Sequence, residues 1–364
     1  VQYQNKLSSR LLIAASGTGG HVFPAIATAE QLSDFEIEWL GVPDRLETQL
    51  VGDRYPLHTV PVRGFQTKGL GALKTLWMIV SAVWKVRRIL QRGKFDAIFT
   101  TGGYIAAPTI VAARSLSIPV VFHEANALPG KVARAFAPWC NTVAIGFEDA
   151  ATRFPRAKTI FVGTPVRSQF REALQARSSL DLPIPDGVPL IVIVGGSQGA
   201  VALNQLVREA APAWFEAGAW VVHLTGENDP DAKSLEHPQY LALPFYNEMA
   251  PLFQRANLVI SRAGAGTLTE LAVTHTPAIL IPYPFAAEDH QAFNATVFVK
   301  AGAAEMIRQA ELTPDLLKNT VLDLLKSPDR LNRMSEQAKS LAVLDSAERT
   351  AQLVRQCLKS SLTA

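Results

Sequence analysis

His21 sits in a glycine-rich run, Ser16-Gly17-Thr18-Gly19-Gly20-His21-Val22-Phe23-Pro24, between an apolar strand-like segment and an apolar helix-like one. Closely spaced glycines let the backbone turn sharply and come near a ligand. Where such a loop enters a helix, free N–H groups and the helix dipole make an anion site. An imidazole there has two uses, as a base near neutral pH or as a cation for phosphate. Spacing leaves both open. Two familiar nucleotide loops do not fit. A P-loop needs Gly-Lys-Ser/Thr and no lysine follows, while the dinucleotide fingerprint wants glycine where Val22 stands.

Further glycine loops follow other apolar runs: Thr101-Gly102-Gly103-Tyr104, Gly195-Gly196-Ser197-Gln198-Gly199, and Arg262-Ala263-Gly264-Ala265-Gly266-Thr267. Several such loops at the carboxyl ends of strands mark ligand crevices in parallel sheets. Glu270 lies about one turn beyond the last of them. Its carboxylate suits the two hydroxyls of a ribose, or is simply favoured by the helix N-terminus. Gln291 and Asn294 share a helical face, and their amides suit either sugar hydroxyls or helix capping. His123-Glu124-Ala125-Asn126 gathers polar groups after another buried run, with a satisfied core histidine as the plain alternative for His123. Asp229-Pro230-Asp231 spells the Asp-x-Asp of metal-dependent sugar transferases, but no strand leads into it and it reads as a turn. No metal-ligand cluster is expected.

The elements that must position these residues alternate along the chain. Strand-like runs occupy 11–15, 37–40, 97–100, 120–123, 142–145, 190–194, 220–224, 258–260 and 278–281. Most lack period-2 alternation, as strands buried on both faces should. Helices are expected over 24–32, with Pro24 in a first turn, and over 200–213 and 267–273. The chain ends in helices near 331–343 and 347–358. Strand–helix alternation implies parallel sheets with right-handed crossovers. The segment from Leu190 echoes that from Leu11, so the pattern restarts after a turn-rich zone over 162–189. The fold class is therefore α/β, with two doubly wound Rossmann-like domains facing across a cleft and a hinge near 163–167. The expected domains are 1–163, with a C-terminal helix 345–364 packing back on it, and 164–344.

The 364 residues suffice for two domains, and 48% apolar against 18% charged residues describes a folded globular chain. Two cysteines, Cys140 and Cys357, are too few for a disulfide framework and point to a reducing compartment. The first residues lack the apolar core of a signal peptide, and no run of about 20 apolar residues is long enough to span a bilayer. Net charge is only +3, yet no Asp or Glu occurs between Asp53 and Asp96, where nine Lys and Arg sit. Within that stretch Leu73, Trp77, Val80 and Trp84 form a helical stripe flanked by Lys74, Lys85, Arg88 and Arg92. Such a stripe either packs on a sheet or lies on an anionic bilayer.

The ordered set of Gly-Thr-Gly-Gly-His-Val-Phe-Pro, Thr-Gly-Gly-Tyr, His-Glu-x-Asn, Gly-x-Pro-Val-Arg, Gly-Gly-Ser-Gln-Gly-Ala, Arg-x-Gly-Ala and His-Gln-x-x-Asn-Ala runs from Gly17 to Ala295. It resembles the bacterial UDP-N-acetylglucosamine:lipid I N-acetylglucosaminyltransferases, the MurG family, of GT-B fold. The resemblance implies an inverting transfer of N-acetylglucosamine from UDP-N-acetylglucosamine to the 4-hydroxyl of the muramyl sugar of lipid I, forming lipid II for peptidoglycan. It assigns the donor to Thr18, Gly19, Gly20, Asn126, Arg167, Ser197, Gly264, Ala265, Gly266, Thr267, Glu270, Gln291 and Asn294. The acceptor falls to Gly17, His21, Gly102, Gly103 and Tyr104, with His21 and Glu124 as catalytic groups. No cofactor or metal is expected. Partners would be the two substrates, an anionic membrane surface and other cell-wall synthesis proteins, with no nucleic acid, at the cytoplasmic face of the plasma membrane. Ser16, Ala125 and Thr164 depart from the family pattern. Two other readings remain on the sequence: a UDP-N-acetylglucosamine 2-epimerase, or a nucleotide-sugar binding module without catalysis.

Overall fold

A computed structural model of the chain describes residues 8–62, 70–175, 180–196 and 199–362. It divides into two compact units, Val1–Arg167 with Asp345–Ala364, and Ser168–Leu344. The linker residues 163–167 thus fall in the first unit.

The first unit runs β1 (Ser9–Ala15), α1 (Gly19–Ala29), β2 (Phe35–Gly41), α2 (Leu46–Leu50), β3 (Leu57–Thr59) and α3 (Leu70–Gly93). It continues through β4 (Ala97–Gly102), α4 (Ala106–Arg114), β5 (Val120–Glu124), α5 (Lys131–Phe136), β6 (Thr142–Ile145) and β7 (Thr159–Phe161). The second holds α6 (Ser168–Gln175), β8 (Leu190–Val194), α7 (Val201–Glu216), β9 (Trp220–Leu224), β10 (Tyr240–Leu243) and α8 (Met249–Arg255). It closes with β11 (Leu258–Ser261), α9 (Ala265–Val273), β12 (Ala278–Leu280), α10 (His290–Ala301), β13 (Ala304–Met306), α11 (Pro314–Leu325) and α12 (Pro328–Ser340). The last helix, α13 (Ser346–Leu362), belongs to the first unit.

Both sheets are parallel, ordered β3-β2-β1-β4-β5-β6-β7 and β10-β9-β8-β11-β12-β13. Strand order reverses between β1 and β4 in one sheet and between β8 and β11 in the other. Crevices for ligands open beyond the carboxyl ends of strands at such reversals. The apolar runs are continuous because both faces of each strand are covered. In β1, Leu12 and Ala14 pack with Val86 and Leu90 of α3, whereas Leu11 and Ile13 pack with Val22 of α1 and Val354 of α13. Each fully buried aliphatic side chain of this kind contributes about 1.5–3 kcal/mol. Arg355 pins α13 further through Asp34, with Nη2 to Oδ1 at 2.6 Å and Nε to Oδ2 at 2.9 Å. The second unit buries Ile191 and Ile193 of β8 under Leu203, Val207 and Trp214 of α7.

Helix α1 begins at Gly19, five residues before the expected start, so Pro24 is interior rather than in the first turn. Proline cannot donate the bond to the Gly20 carbonyl that this position would otherwise make. The consequence lies at the other end: Gly19, Gly20 and His21 form the helix's first turn.

Candidate active site

In the first unit two glycine loops meet. The first follows β1, which ends at Ala15, and feeds α1; its N-cap is Thr18, and the Gly19 and Gly20 N–H groups have no intrahelical carbonyl to reach. The second ends β4. Gly103, at φ 79°, leaves no room for a Cβ against the carbonyl and hydroxyl of Ser16. A Cβ on Gly102, at φ 106°, would stand 3.0 Å from the imidazole Nδ1 and Cε1 of His21. Glycine is required at both places for the loops to touch. Two hydrogen bonds then join them: His21 Nδ1 to the Thr101 carbonyl at 2.7 Å, and Thr101 Oγ1 to the His21 carbonyl at 2.7 Å. A carbonyl only accepts, so Nδ1 carries the proton and Nε2 is the basic nitrogen of the neutral ring. Tyr104 is exposed beside this pair.

Gly17 is held from behind. Its N–H donates to Oε2 of Glu47 at 3.1 Å, and the other oxygen of that fully buried carboxylate accepts from Val42 N–H at 2.8 Å. Nothing in the spacing around Glu47 announced this. The guanidinium of Arg167 lies over the ring of Phe23 in α1, with Cζ 4.8 Å from the centroid, which brings the last linker residue to the same helix as His21.

Beyond β5, Glu124 turns inward. Its Oε1 accepts from the Asn126 backbone at 2.9 Å and from Asn126 Nδ2 at 3.0 Å. Burial raises its pKa, against the hydrogen bonds from Asn126, Gly130 and Ala125, which lower it. The carboxylate is engaged in holding its own loop, and Asn126 is what that loop presents. His123 is fully buried, its Nε2 donating to the Gly163 carbonyl at 2.9 Å, and burial lowers its pKa to about 4. Two departures from the family pattern meet nearby, because a Cβ on Gly146 would strike both Thr164 Oγ1 and the Ala125 carbonyl.

In the second unit α9 starts directly after Gly264, so the N–H groups of Ala265, Gly266 and Thr267 face out of its first turn, and the space beyond Gly264 and Gly266 is open. Glu270 is half-buried on the same helix. The loop is held from α10. Gln291 Oε1 accepts from Ala263 N–H at 3.2 Å and Tyr283 N–H at 2.9 Å, while the fully buried Asn294 donates Nδ2 to the Ala263 carbonyl at 3.1 Å. Gln291 and Asn294 thus both support the loop, Gln291 being the more exposed of the two. Arg262 ties the loop to the end of β12 through the carbonyl of Ile281 at 3.1 Å and to Gln309 Oε1 at 2.6 Å. The loop between β8 and α7 is equally tight, because a Cβ on Gly199 would lie 2.6 Å from the Thr225 carbonyl. Ser197 lies outside the described residues.

Asp229 faces the interior. It takes Arg208 Nη1 at 2.7 Å and Asn204 Nδ2 at 2.7 Å, and His223 and Tyr240 extend the chain. The Asp-x-Asp sequence is therefore a turn fastened to α7. Among the described residues no group of three or more His, Cys, Asp or Glu is gathered to hold a metal ion.

Helix α3 has two apolar faces. Ala82, Val86 and Leu90 are buried on the sheet, whereas Trp77, Val80 and Trp84 are 72%, 59% and 52% exposed. Arg88 lies 3.7 Å over the Trp84 ring, and Lys85 is exposed next to it. The side chains of Leu73 and Lys74 lie outside the described residues. Among those residues no helix is long and apolar enough to cross a membrane.

Residues 11–145 match the glycosyltransferase family 28 N-terminal domain, and residues 190–350 match its C-terminal domain. The chain is 64% identical over 352 residues, 96% of its length, to a protein of Nostoc punctiforme named UDP-N-acetylglucosamine--N-acetylmuramyl-(pentapeptide) pyrophosphoryl-undecaprenol N-acetylglucosamine transferase, 98% of which is covered. The chain belongs to the MurG family. A Trichormus variabilis member of the same name is 64% identical over 96% of this chain and 98% of its own. The crystal structure of the Acinetobacter baumannii MurG superposes with a TM-score of 0.77 at 30% identity, covering 96% of this chain and 99% of that one. With MurG relatives matched along nearly the whole length, both family 28 domains are present here.

Proposed function

We propose that the chain transfers N-acetylglucosamine from UDP-N-acetylglucosamine to the 4-hydroxyl of the muramyl sugar of lipid I, forming lipid II with inversion at the anomeric carbon. The identity of 64% along 96% of the chain to a relative bearing that activity in its name carries this reading.

The site supplies what the displacement needs. The acceptor hydroxyl must lose its proton as it attacks the anomeric carbon and UDP departs. His21, with Nδ1 committed to Thr101, offers Nε2 as the base. The leaving diphosphate gathers charge. The first turn of α9 supplies preorganised dipoles for it, and Arg167 is the cation that the family motif assigns to it. Glu270 accepts from the ribose hydroxyls. Asn126 and Gln291 hold the donor sugar, Asn126 fixed by Glu124 and Gln291 by the loop it supports. The acceptor's diphosphate takes the loop at Gly17 and His21, with Gly102, Gly103 and Tyr104 beside it. The exposed Trp77, Val80 and Trp84, with Lys85 and Arg88, rest on the anionic cytoplasmic leaflet that carries the acceptor.

Incubation with UDP-N-acetylglucosamine and a lipid I analogue tests the activity. UDP should appear only when the acceptor is present, in step with a β-linked disaccharide. Loss of the sugar's C2 proton to solvent would favour an epimerase, and donor binding without any UDP release a binding module.

A further inference from the structure

Glu288 and Asp289, just ahead of α10, are consecutive non-glycine residues in the left-handed region, at φ 52°, ψ 25° and φ 57°, ψ 27°. A side chain with a Cβ crowds the following carbonyl there, so a chain takes this shape twice in succession only where its surroundings hold it. Arg308 holds the second of the two: Nη1 donates to both oxygens of Asp289, each at 2.8 Å. The next residue reaches the opposite way, Gln309 Oε1 accepting from Arg262 at 2.6 Å. Two adjacent residues after β13 therefore each fasten one loop, the turn that starts α10 and the loop that starts α9. Gln291 closes the ring by accepting from Ala263 and Tyr283.

We propose that Arg308 is a positioning residue for the sugar nucleotide. By keeping Asp289 left-handed it sets where α10 begins, and so where Gln291 and the loop 262–267 stand. Arg308 touches no substrate in this scheme and acts through Asp289 alone. The proposal rests on the reading that this unit binds UDP-N-acetylglucosamine. Asp289 makes no side-chain capping bond to α10, so removing the carboxylate removes only the clamp. Both members of the pair are substantially solvated, and such pairs add little to global stability. The effect accordingly falls on donor binding rather than on melting.

Steady-state kinetics of the full chain with UDP-N-acetylglucosamine and a lipid I analogue test this. Arg308→Ala should raise the donor KM roughly five- to tenfold, with the acceptor KM and melting temperature close to wild type. Adding Asp289→Gly in that background should bring the donor KM back to within about twofold, because glycine adopts the left-handed shape without a clamp. Asp289→Gly alone should keep the wild-type donor KM. An unchanged donor KM in Arg308→Ala, equal rises in both KM values, or no recovery in the double variant would overturn the proposal. Gln291→Ala separates the two levels. If it raises the donor KM while Arg308→Ala does not, only the clamp falls; if it does not, the assignment of the donor to this unit falls with it.

Discussion

His21 Nδ1 stands 2.7 Å from the carbonyl oxygen of Thr101, so a residue of the α1 helix has its tautomer set by a residue of β4, 80 positions along the chain. The contact exists because β1 and β4 are neighbours at the strand-order reversal and because Gly102 leaves space for the ring. Thr101 was visible in the sequence as part of a glycine loop, but its carbonyl could be assigned a task only once the sheet order was known.

Replacing His21 by alanine should lower kcat by about 10²–10⁴-fold, the usual range for loss of a general base, and should abolish the acid limb of the pH–rate profile. A base must be unprotonated to act, so the wild-type rate falls as pH drops through its pKa. A variant that loses acceptor affinity but keeps that limb would assign His21 to phosphate binding instead.

Glu270→Ala should raise the donor KM by roughly tenfold or more, the cost of a lost charged hydrogen bond, and leave the acceptor KM nearly unchanged. Equal changes in the two constants would place this carboxylate elsewhere.

Stability should decline as pH falls from about 6.5 to about 4, in part through His123, whose folded-state pKa is lowered by burial to about 4 from 6.5. Over that window the unfolded chain binds a proton that the folded chain does not, so lowering the pH favours unfolding. The contribution at the acid end is roughly 3 kcal/mol, an upper estimate for one buried group. Thermal melts of His123→Gln should show a shallower decline than wild type between these limits. Parallel curves would show that His123 does not set the slope. His223, lowered to about 3 by burial, adds a further decline of the same sign in both proteins.

Serine at Trp77 and Trp84 should weaken binding to vesicles containing anionic lipid while leaving the melting temperature close to wild type, since both rings are more than half exposed. Unfolding of the variant would mean that the rings support the sheet.

The sequence made the central strands readable and left the edges dark. Leu11 to Ala15 and Leu190 to Val194 stand out because they are covered on both faces and need apolar residues throughout. The four strands that went unrecognised, β3, β7, β10 and β13, are the outermost of the two sheets, each only three or four residues long and partly solvated. An edge strand needs neither a continuous apolar run nor a long one. The site shows a similar division. Glycine loops are local and announce themselves, so residues 17–21 and 262–267 were found. Supports are non-local: Glu47 behind Gly17, Glu124 behind Asn126, Asn294 behind Ala263 and Arg308 behind Asp289 all depend on which loops the fold brings together. The resemblance gives Asn294 to the donor and Glu124 to catalysis; in the structure Asn294 donates to the Ala263 carbonyl and Glu124 accepts from the backbone and side chain of Asn126. The faces of α3 could not be told apart either, because it carries apolar residues on both. Burial of Val86 and Leu90 assigned one face to the sheet and exposed the tryptophans on the other.

A crystal structure with UDP bound is the most direct test of where the nucleotide is held. The ribose hydroxyls should lie within hydrogen-bonding distance of the Glu270 carboxylate, and the phosphates should meet the N–H groups of Ala265, Gly266 and Thr267. Uridine lodged away from residues 262–270 would contradict the account.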